Sequence, residues 1–554
     1  MEKISKEKND PPWMELFRLR SLQMYNSMEV PDWGPSIEGL DMDHIVTYVR
    51  PKTGMKAKWS DVPDDIKDTF ERLGIPQAER KSLAGVGAQY DSELVYHNLQ
   101  ESVAAQGVVY SDLESALHGK YAEMIRKHFM KLVKLQDHKF AALHGAVWSG
   151  GSFVYVPPGV SVTIPLQSYF RLNAPGAGQF EHTLIIVDEG AYLHFIEGCS
   201  APKYNVANLH AGCVELFVGK NATLRYSTIE NWSKNMYNLN TKRAIVEEGG
   251  TIEWVFGSFG SHVSYLYPMS ILKGKNAHME FTGITFAGKG QNLDTGAKVV
   301  HSGENTSSYI NTKSISKDGG ISTFRSSVVI GKDAKHSKAA VSCQSLMLDD
   351  ISRSDTIPAM DIHTKDADVG HEAKIGKISD EAVFYLMSRG ISEEDARSMI
   401  VSGFADNVSK ELPLEYAMEK MRKNPYIHIL GSEKAKEHCG IISFTLEGVN
   451  PSCGDDIVLE LKVEDDVITD GAFVGSGCAI SQASVDIMLD MIIGRKKEEA
   501  LHLAELFYKM IRSEADENEI EELEEAGALQ DIAHMPARVK CALLGWRTLK
   551  EMIK

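Results

Sequence analysis

From Gly150 to Asp350 the chain alternates hydrophobic and polar residues in short runs, each opened by a turn: PPGVSVTI, DEGAYLHF, GKNATLRY, EEGGTIEW, GKNAHMEF, GENTSSYI and GKDAKHSK. Alternation with period two is the pattern of a half-buried strand. Aligned on the first residue after the turn, the runs bring Val160, Ala191, Ala222, Gly250, Ala277, Thr306 and Ala334 together, at gaps of 31, 31, 28, 27, 29 and 28 residues. A near-constant period of this size, with Gly, Asn or Asp at the turn, predicts a stacked solenoid. The runs hold too many β-branched residues and glycines for helix pairs, so each repeat reads as one coil of a parallel β-helix over 150–375. One coil cannot bury its apolar face alone, and its stacked neighbours complete the core. A large irregular sandwich is the alternative.

Before the repeat, 1–149 reads as a mixed, mainly helical region, from PPWMELFRLRSLQMY to YAEMIRKHFMKLVKL. The glycines of AGVGAQYDSELVYHN fit neither G-x-x-x-x-G-K-[ST] nor G-x-G-x-x-G, so no ATP site is expected on this chain. After the repeat, 376–428 carries short amphipathic helices, with Ser379 and Ser392 as N-caps and Gly390 as a C′ glycine. Val383, Leu386 and Met387 form an apolar stripe there. A linker at 429–439 leads to a small α+β domain, 440–554. In it IISFTLEGVN, DDIVLELKVEDD and VITDGAFVGSG are strand-like, and the pattern turns helical beyond Cys478.

Composition narrows the class. The 554 residues are 43% hydrophobic and 25% charged, as in a soluble globular protein, with a net charge of −18 that argues against a nucleic-acid surface. The opening MEKISKEKND lacks the apolar segment of a signal peptide, and no apolar run of ~18 residues predicts a membrane span. A cytoplasmic protein is expected. Seven cysteines, Cys199, Cys213, Cys343, Cys439, Cys453, Cys478 and Cys541, are too sparse for a disulfide framework. Cys213 and Cys439 read as buried small hydrophobes.

The tail places its cysteines at bends. Cys453 and Asp455 share one turn, Cys478 stands before a helix whose N-terminal dipole would lower its thiol pKa, and Cys541 lies in MPARVKCALLGW, with Pro536 suited to a first helical turn. Three thiolates and a carboxylate brought together make a tetrahedral site for zinc or iron. Structural zinc and a reactive site are both open on spacing alone.

The longer motifs carry a resemblance. PDWGP, RLGIPQAERKSLAGVGAQYDSELVYHN, FAALHGAVWSGGSFVYVPPGV, GQFEHTLIIVDEGA, FAGKGQNLDTGAKVVH, SISKDGG, SRSDTIP and VGHEAKIGKI resemble the SufB family of iron–sulfur cluster assembly scaffolds over about 10–428. That likeness implies a right-handed parallel β-helix core and a SufC ATPase docked on the helical region. It also implies a second β-helix subunit, SufD or another SufB, and a transient [4Fe–4S] cluster passed on to apo proteins or carriers. By the same likeness Cys343 is a cluster ligand or assembly site, Glu372 helps to hold the cluster with His371 beside it, and Cys199 receives sulfur. Trp232 and Lys242 match positions lining the route inward, and Glu230 stands where many relatives have Gln. Sulfur relay by such cysteines calls for accessible thiolates. Flavin has been associated with the family's complexes, but no flavin motif is legible.

NPSCGD, GSGCAIS and ARVKCALLGW resemble the SufU/IscU scaffold family over about 440–554. The long interval from Cys478 to Cys541 favours the SufU type, which receives sulfur from a SufS-type cysteine desulfurase and commonly holds zinc. The chain is thus similar to a SufB–SufU fusion, a scaffold rather than an enzyme. In the alternative, the tail is only a zinc-stabilised interaction module. A β-helix carbohydrate-active enzyme is the rival class, but it needs paired carboxylates in a groove, and no pair stands out.

Overall fold

Each predicted turn leads into a strand of one parallel sheet: Ser161–Arg171, Tyr192–Ser200, Thr223–Asn231, Thr251–Ser258, His278–Ala287, Ser307–Ser316 and Ser337–Met347, with Ala367–Lys377 at the edge. The return half of each coil builds a second sheet, running from Ser152–Val156 through Met236–Val246 and Asn292–His301 to Arg353–Ile362. This computed structural model describes the chain except residues 52, 57–60, 64–65, 68–82, 389–391, 410–443, 451–454, 465, 477–478, 535 and 554. Two compact units are present, Met1–Tyr426 and Ile427–Lys554. The linker expected at 429–439, Cys439 within its approach, and Gly390 lie outside the described residues.

The first unit is a parallel β-solenoid, and its turn chemistry explains the repeat. Gly159, Gly190, Asn221, Gly249, Asn276 and Asn305, each just before an aligned position, have φ of 70, 66, 53, 65, 60 and 55°. Glycine and asparagine tolerate this left-handed conformation best. At Gly249 space adds to the constraint, because a Cβ would lie 2.2 Å from Asn221 Oδ1 of the coil before. The seventh repeat slips. Ser307 pairs with Lys338, so the last turn holds three residues more than the motif alignment allows, with His336 at φ 59°.

Inward positions of successive coils stack into columns. Phe195, Tyr226, Trp254, Phe256 and Phe281 form an aromatic ladder, with centroids 5.7 Å apart for Phe195–Tyr226 and 5.4 Å for Phe256–Phe281. Such contacts add to the burial that holds coil on coil. The N-terminal region is more mixed than the helical pattern implied. Helices Pro12–Ser27 and Lys139–Val147 pack together, but Gly85–Tyr90 joins Ser161–Arg171 as a parallel strand and pairs with Glu93–Leu99 as a hairpin. The glycines of that stretch therefore serve a strand, where Gly87 faces the Tyr110 ring.

Beyond the solenoid, helix Asp380–Met387 is capped by Ser379, whose Oγ accepts from Ala382 N at 3.2 Å. Helix Glu393–Ser409 begins after Ser392, and its Phe404 carbonyl accepts from Lys313 Nζ at 2.6 Å. Val383 is buried and Leu386 half-buried, whereas Phe384, Tyr385 and Met387 stay 71, 55 and 41% exposed.

The second unit has an antiparallel sheet, Phe444–Asn450, Asp455–Glu464 and Val467–Ser476, followed by helices Ala479–Ile492, Lys497–Ile511 and Pro536–Ile553. Its core is Leu459, Leu461, Val485, Leu489, Phe507 and Trp546, with Phe507 and Trp546 stacked at 4.5 Å. Among the described residues no helix is long and apolar enough to cross a membrane.

Candidate functional site

The alternation of strand Tyr192–Ser200 turns Leu193, Phe195, Glu197 and Cys199 inward. Two are core residues and two carry chemistry. The strand register extends each into a column. Glu197 stacks between Ser168 and Thr228, and the column continues through Phe256, Gly283 and Thr312 to Cys343. Cys199 stacks between Phe170 and Glu230, and its column continues through Ser258, Thr285 and Ser314 to Ser345. Cys199 and Cys343 thus face the same interior from neighbouring columns, five strand steps apart, or roughly 24 Å at strand spacing. Between them lies a gap of ≈ 20 Å³ bordered by Ser258, Thr285, Thr312 and Ser345, about the room one water needs.

Around Cys199 the interior is strongly ionic. Cys199 Sγ donates to Glu197 Oε1 at 3.6 Å. The same oxygen accepts from Thr228 Oγ1 at 2.9 Å and Lys242 Nζ at 2.5 Å, while Tyr226 donates its hydroxyl to Oε2. Lys242 Nζ also stands 3.9 Å from Glu230 Oε1. Asn238 donates to Glu230 Oε2 at 2.5 Å and its carbonyl oxygen meets His210 Nδ1 at 2.7 Å; His210 Nε2 is 2.5 Å from Glu181. Trp232 packs beside Cys199, its ring 4.6 Å from His210. A second buried group, His144–His182–Glu215, lies nearby in the same unit, Glu215 accepting from the backbone N–H of Met130, Leu132 and Val133.

The physical cause of each protonation state is legible. Burial would push Glu197 up, but the Lys242 ammonium and the Tyr226 hydroxyl hold it below the usual carboxylate range. Burial would strip Lys242 of its proton, and Glu197 with Glu230 overcomes this. Glu230 is raised by burial, against the pull of Lys242. The Cys199 thiol is driven well up by burial and then by Glu197. Cys199 is 1% exposed and Cys343 2%, so neither thiol is the accessible thiolate that sulfur relay was expected to need.

At the other end, Cys343 Sγ is 3.6 Å from Thr356 Oγ1 across the interior, and burial raises its pKa. Its strand pairs with Ala367–Lys377, Val341 opposite His371, Ser342 opposite Glu372 and Cys343 opposite Ala373. His371 therefore shares the inward face with Cys343, and its buried Nε2 has no hydrogen-bond partner among the described residues. Glu372 points the other way, exposed and paired with Lys374 Nζ at 2.9 Å. Cys213 is a buried strand residue.

In the tail, Cys453 and Cys478 lie outside the described residues, as does the side chain of Asp455. Among the described residues no group of three His, Cys, Asp or Glu forms a metal site. The backbone nevertheless brings their neighbourhoods together. Asp455 opens the central strand, Asp456 pairs with Ser476, and helix Ala479–Ile492 starts directly after Cys478. Cys541 is buried on the helix that packs against it, next to Ala542, whose carbonyl accepts from Ser484 Oγ at 2.7 Å.

Comparison with known proteins gives this architecture a family. Residues 3–168 match the SufBD protein N-terminal region, 170–404 the SufBD core domain of the SUF system for FeS cluster assembly, and 425–550 the NifU-like N-terminal domain. The iron–sulfur cluster assembly protein SufB of Bacillus subtilis is 50% identical over 422 residues, 76% of this chain and 90% of that protein. The chain belongs to the SufB family. Another relative is an iron–sulfur cluster assembly SufBD family protein of Staphylococcus aureus, at 49% over the same share of both chains. Beyond its SufB portion the chain carries a NifU-like C-terminal domain. A solved scaffold protein for the SUF system from Fervidobacterium islandicum is 34% identical, covering 26% of this chain and 96% of its own, with a TM-score of 0.21.

The SufB motifs pointed to Cys199, Trp232 and Lys242, but not to Glu197, Tyr226, Asn238, His210 or Glu181. One signal for Glu197 was present: in YLHFIEGC it occupies an inward position of the alternating run, where an unpaired carboxylate would be costly.

Proposed function

We propose that this SufB-family protein accepts sulfur as persulfide, ultimately from a SufS-type desulfurase, and builds a nascent Fe–S cluster for transfer to apo proteins. Cys199 is the acceptor, with Trp232 and Lys242 on the route inward. The sulfur passes along the interior to Cys343, where iron joins it as substrate, with His371 beside it and Glu372 at the outer surface. The observation that carries this reading is the placement of both thiols on the inner face of one sheet, in neighbouring columns of the same solenoid. Thiolate suits iron, and an imidazole or carboxylate completes a site that can release its cluster.

Two exposed features support the partners. Phe384, Tyr385 and Met387 offer an apolar face for a SufC-type ATPase. The edge strands Arg353–Ile362 and Ala367–Lys377 end both sheets with Ile357, Met360, Ile362 and Ile375 exposed, a surface for a second β-helix subunit, SufD or SufB. In the tail, Cys453, Asp455, Cys478 and Cys541 have the donor chemistry for zinc, and a SufU-type role in sulfur delivery follows. The full burial of Cys541 also favours the version in which the tail is a structural zinc module.

Anaerobic purification followed by iron, acid-labile sulfide and zinc analysis tests the reading in wild type and in Cys343→Ser. Iron with matching sulfide lost in the variant, beside retained zinc, supports it. Iron and sulfide that survive move the assembly site to the tail. Retained assembly in a folded Cys453→Ser variant favours the structural-module version.

A further inference from the structure

We propose that Glu197 is the proton acceptor for Cys199 during sulfur loading, and that Lys242 then shifts its ion pair from this carboxylate to the new persulfide. The inference rests on the reading of Cys199 as sulfur acceptor.

Among the described residues the thiol hydrogen-bonds to one base, Glu197. Glu197 precedes Cys199 by two residues on the same inward face, and its Oε1 receives the Sγ–H at 3.6 Å. The neighbouring strand Thr223–Asn231 contributes Tyr226, Thr228 and Glu230, and the opposing strand Met236–Val246 contributes Lys242 and, through Asn238, His210 with Glu181. Of these, Glu230 and Glu181 are the other carboxylates near the thiol, but Glu230 accepts from Asn238 and Glu181 faces His210. At rest one ammonium balances Glu197, and the thiol keeps its proton. A persulfide is a stronger acid than its parent thiol, so the product is an anion in the same cavity. Two anions then compete for Lys242 unless one takes a proton.

The step balances without an oxidant. A donor persulfide anion, R–S–S⁻, meets Cys199. The Cys199 proton moves to Glu197 Oε1, the sulfur's electron pair attacks the terminal sulfur of the donor, and the donor S–S bond breaks. Its electron pair leaves on R–S⁻. The result is Cys199–S–S⁻ beside Lys242 and a neutral Glu197. Two negative charges enter and two remain, and total sulfur oxidation is unchanged. Tyr226 and Thr228, which donate to Glu197, position the carboxylate.

The test uses the full chain with inorganic polysulfide as donor, following the gain of sulfur on the Cys199 peptide by mass spectrometry across the pH range. Glu197→Gln is expected to slow loading about a hundredfold near neutral pH, with the rate recovering as pH rises and hydroxide replaces the missing base. Loading at the wild-type rate, or a rate that stays low at every pH, overturns the proposal, the second by leaving Glu197 a structural role only. Should Glu197→Gln fail to fold, the double variant Glu197→Gln with Lys242→Met removes the Glu197–Lys242 charge pair together, leaving Glu230 in place, and is judged by the same alkaline recovery. Sulfur uptake unchanged in Cys199→Ser, with none on the wild-type Cys199 peptide, would instead remove the acceptor reading itself.

Discussion

Lys242 Nζ lies 2.5 Å from Glu197 Oε1, and both side chains are fully buried inside the solenoid. Removing one partner of such a pair leaves the other charge uncompensated, at about 3–5 kcal/mol. Lys242→Met is therefore expected to lower stability by that amount, read as a fall in Tm or in the denaturant midpoint. The pH dependence gives the sign. In wild type, Glu197 is held below its ordinary 4.5, so its contribution is present above that value and lost as pH falls through the lower folded value. Lys242 is held above its ordinary 10.5, so its contribution persists up to there and is lost as pH rises through the higher folded value. Between the two the pair gives a flat profile. Without Lys242, burial pushes Glu197 up, and the variant should lose stability steadily as pH climbs above about 4.5.

Phe384 is 71% exposed on a helix whose Val383 is buried. Phe384→Asp should leave the melting of the SufB portion within about 0.5 kcal/mol of wild type. It should weaken binding of a SufC-type ATPase by at least about tenfold, since exposed aromatic anchors dominate such contacts. Titration of the ATPase against both proteins measures it. Unchanged affinity would place the docking face elsewhere.

Ile362 is exposed on the edge strand Arg353–Ile362. A lysine on an edge blocks strand addition. Ile362→Lys should abolish association with a second β-helix subunit in sedimentation experiments, while circular dichroism stays that of wild type.

Trp546 is fully buried and stacked on Phe507. Trp546→Ala should cost the tail about 3–5 kcal/mol. Hydrogen exchange resolved by segment should show faster opening across 444–553 and unchanged protection in strands such as Thr223–Asn231.

Much of the solenoid was legible because a turn is a local event. Gly190 and Asn221 declare a left-handed residue in their own chemistry, and the strand that follows shows its buried side by alternation. The slip before Ser337 was hidden, since GKDAKHSK looks like its predecessors and only pairing of Ser307 with Lys338 exposes the inserted residues. The ionic interior was harder still. Lys242 and Glu197 are 45 positions apart and come from opposing sheets, so no window of sequence contains both. Glu372 carries the opposite lesson: its motif places it next to His371 along the chain, but strand alternation turns it away from Cys343. In the tail the strands and helices follow the pattern, and Pro536 opens the last helix as its fixed φ favours.

The column that joins Glu197 to Cys343 also works as a ruler. Each coil adds one step of about 4.8 Å and returns the same register position to the same side. A whole coil inserted between the two thiols would lengthen their separation by one such increment while leaving both aimed at the interior. A single residue inserted within the strand of Cys343 would keep the distance and turn the thiol outward. Length and aim are thus encoded separately, the first by how many repeats the chain contains and the second by odd or even position within one of them.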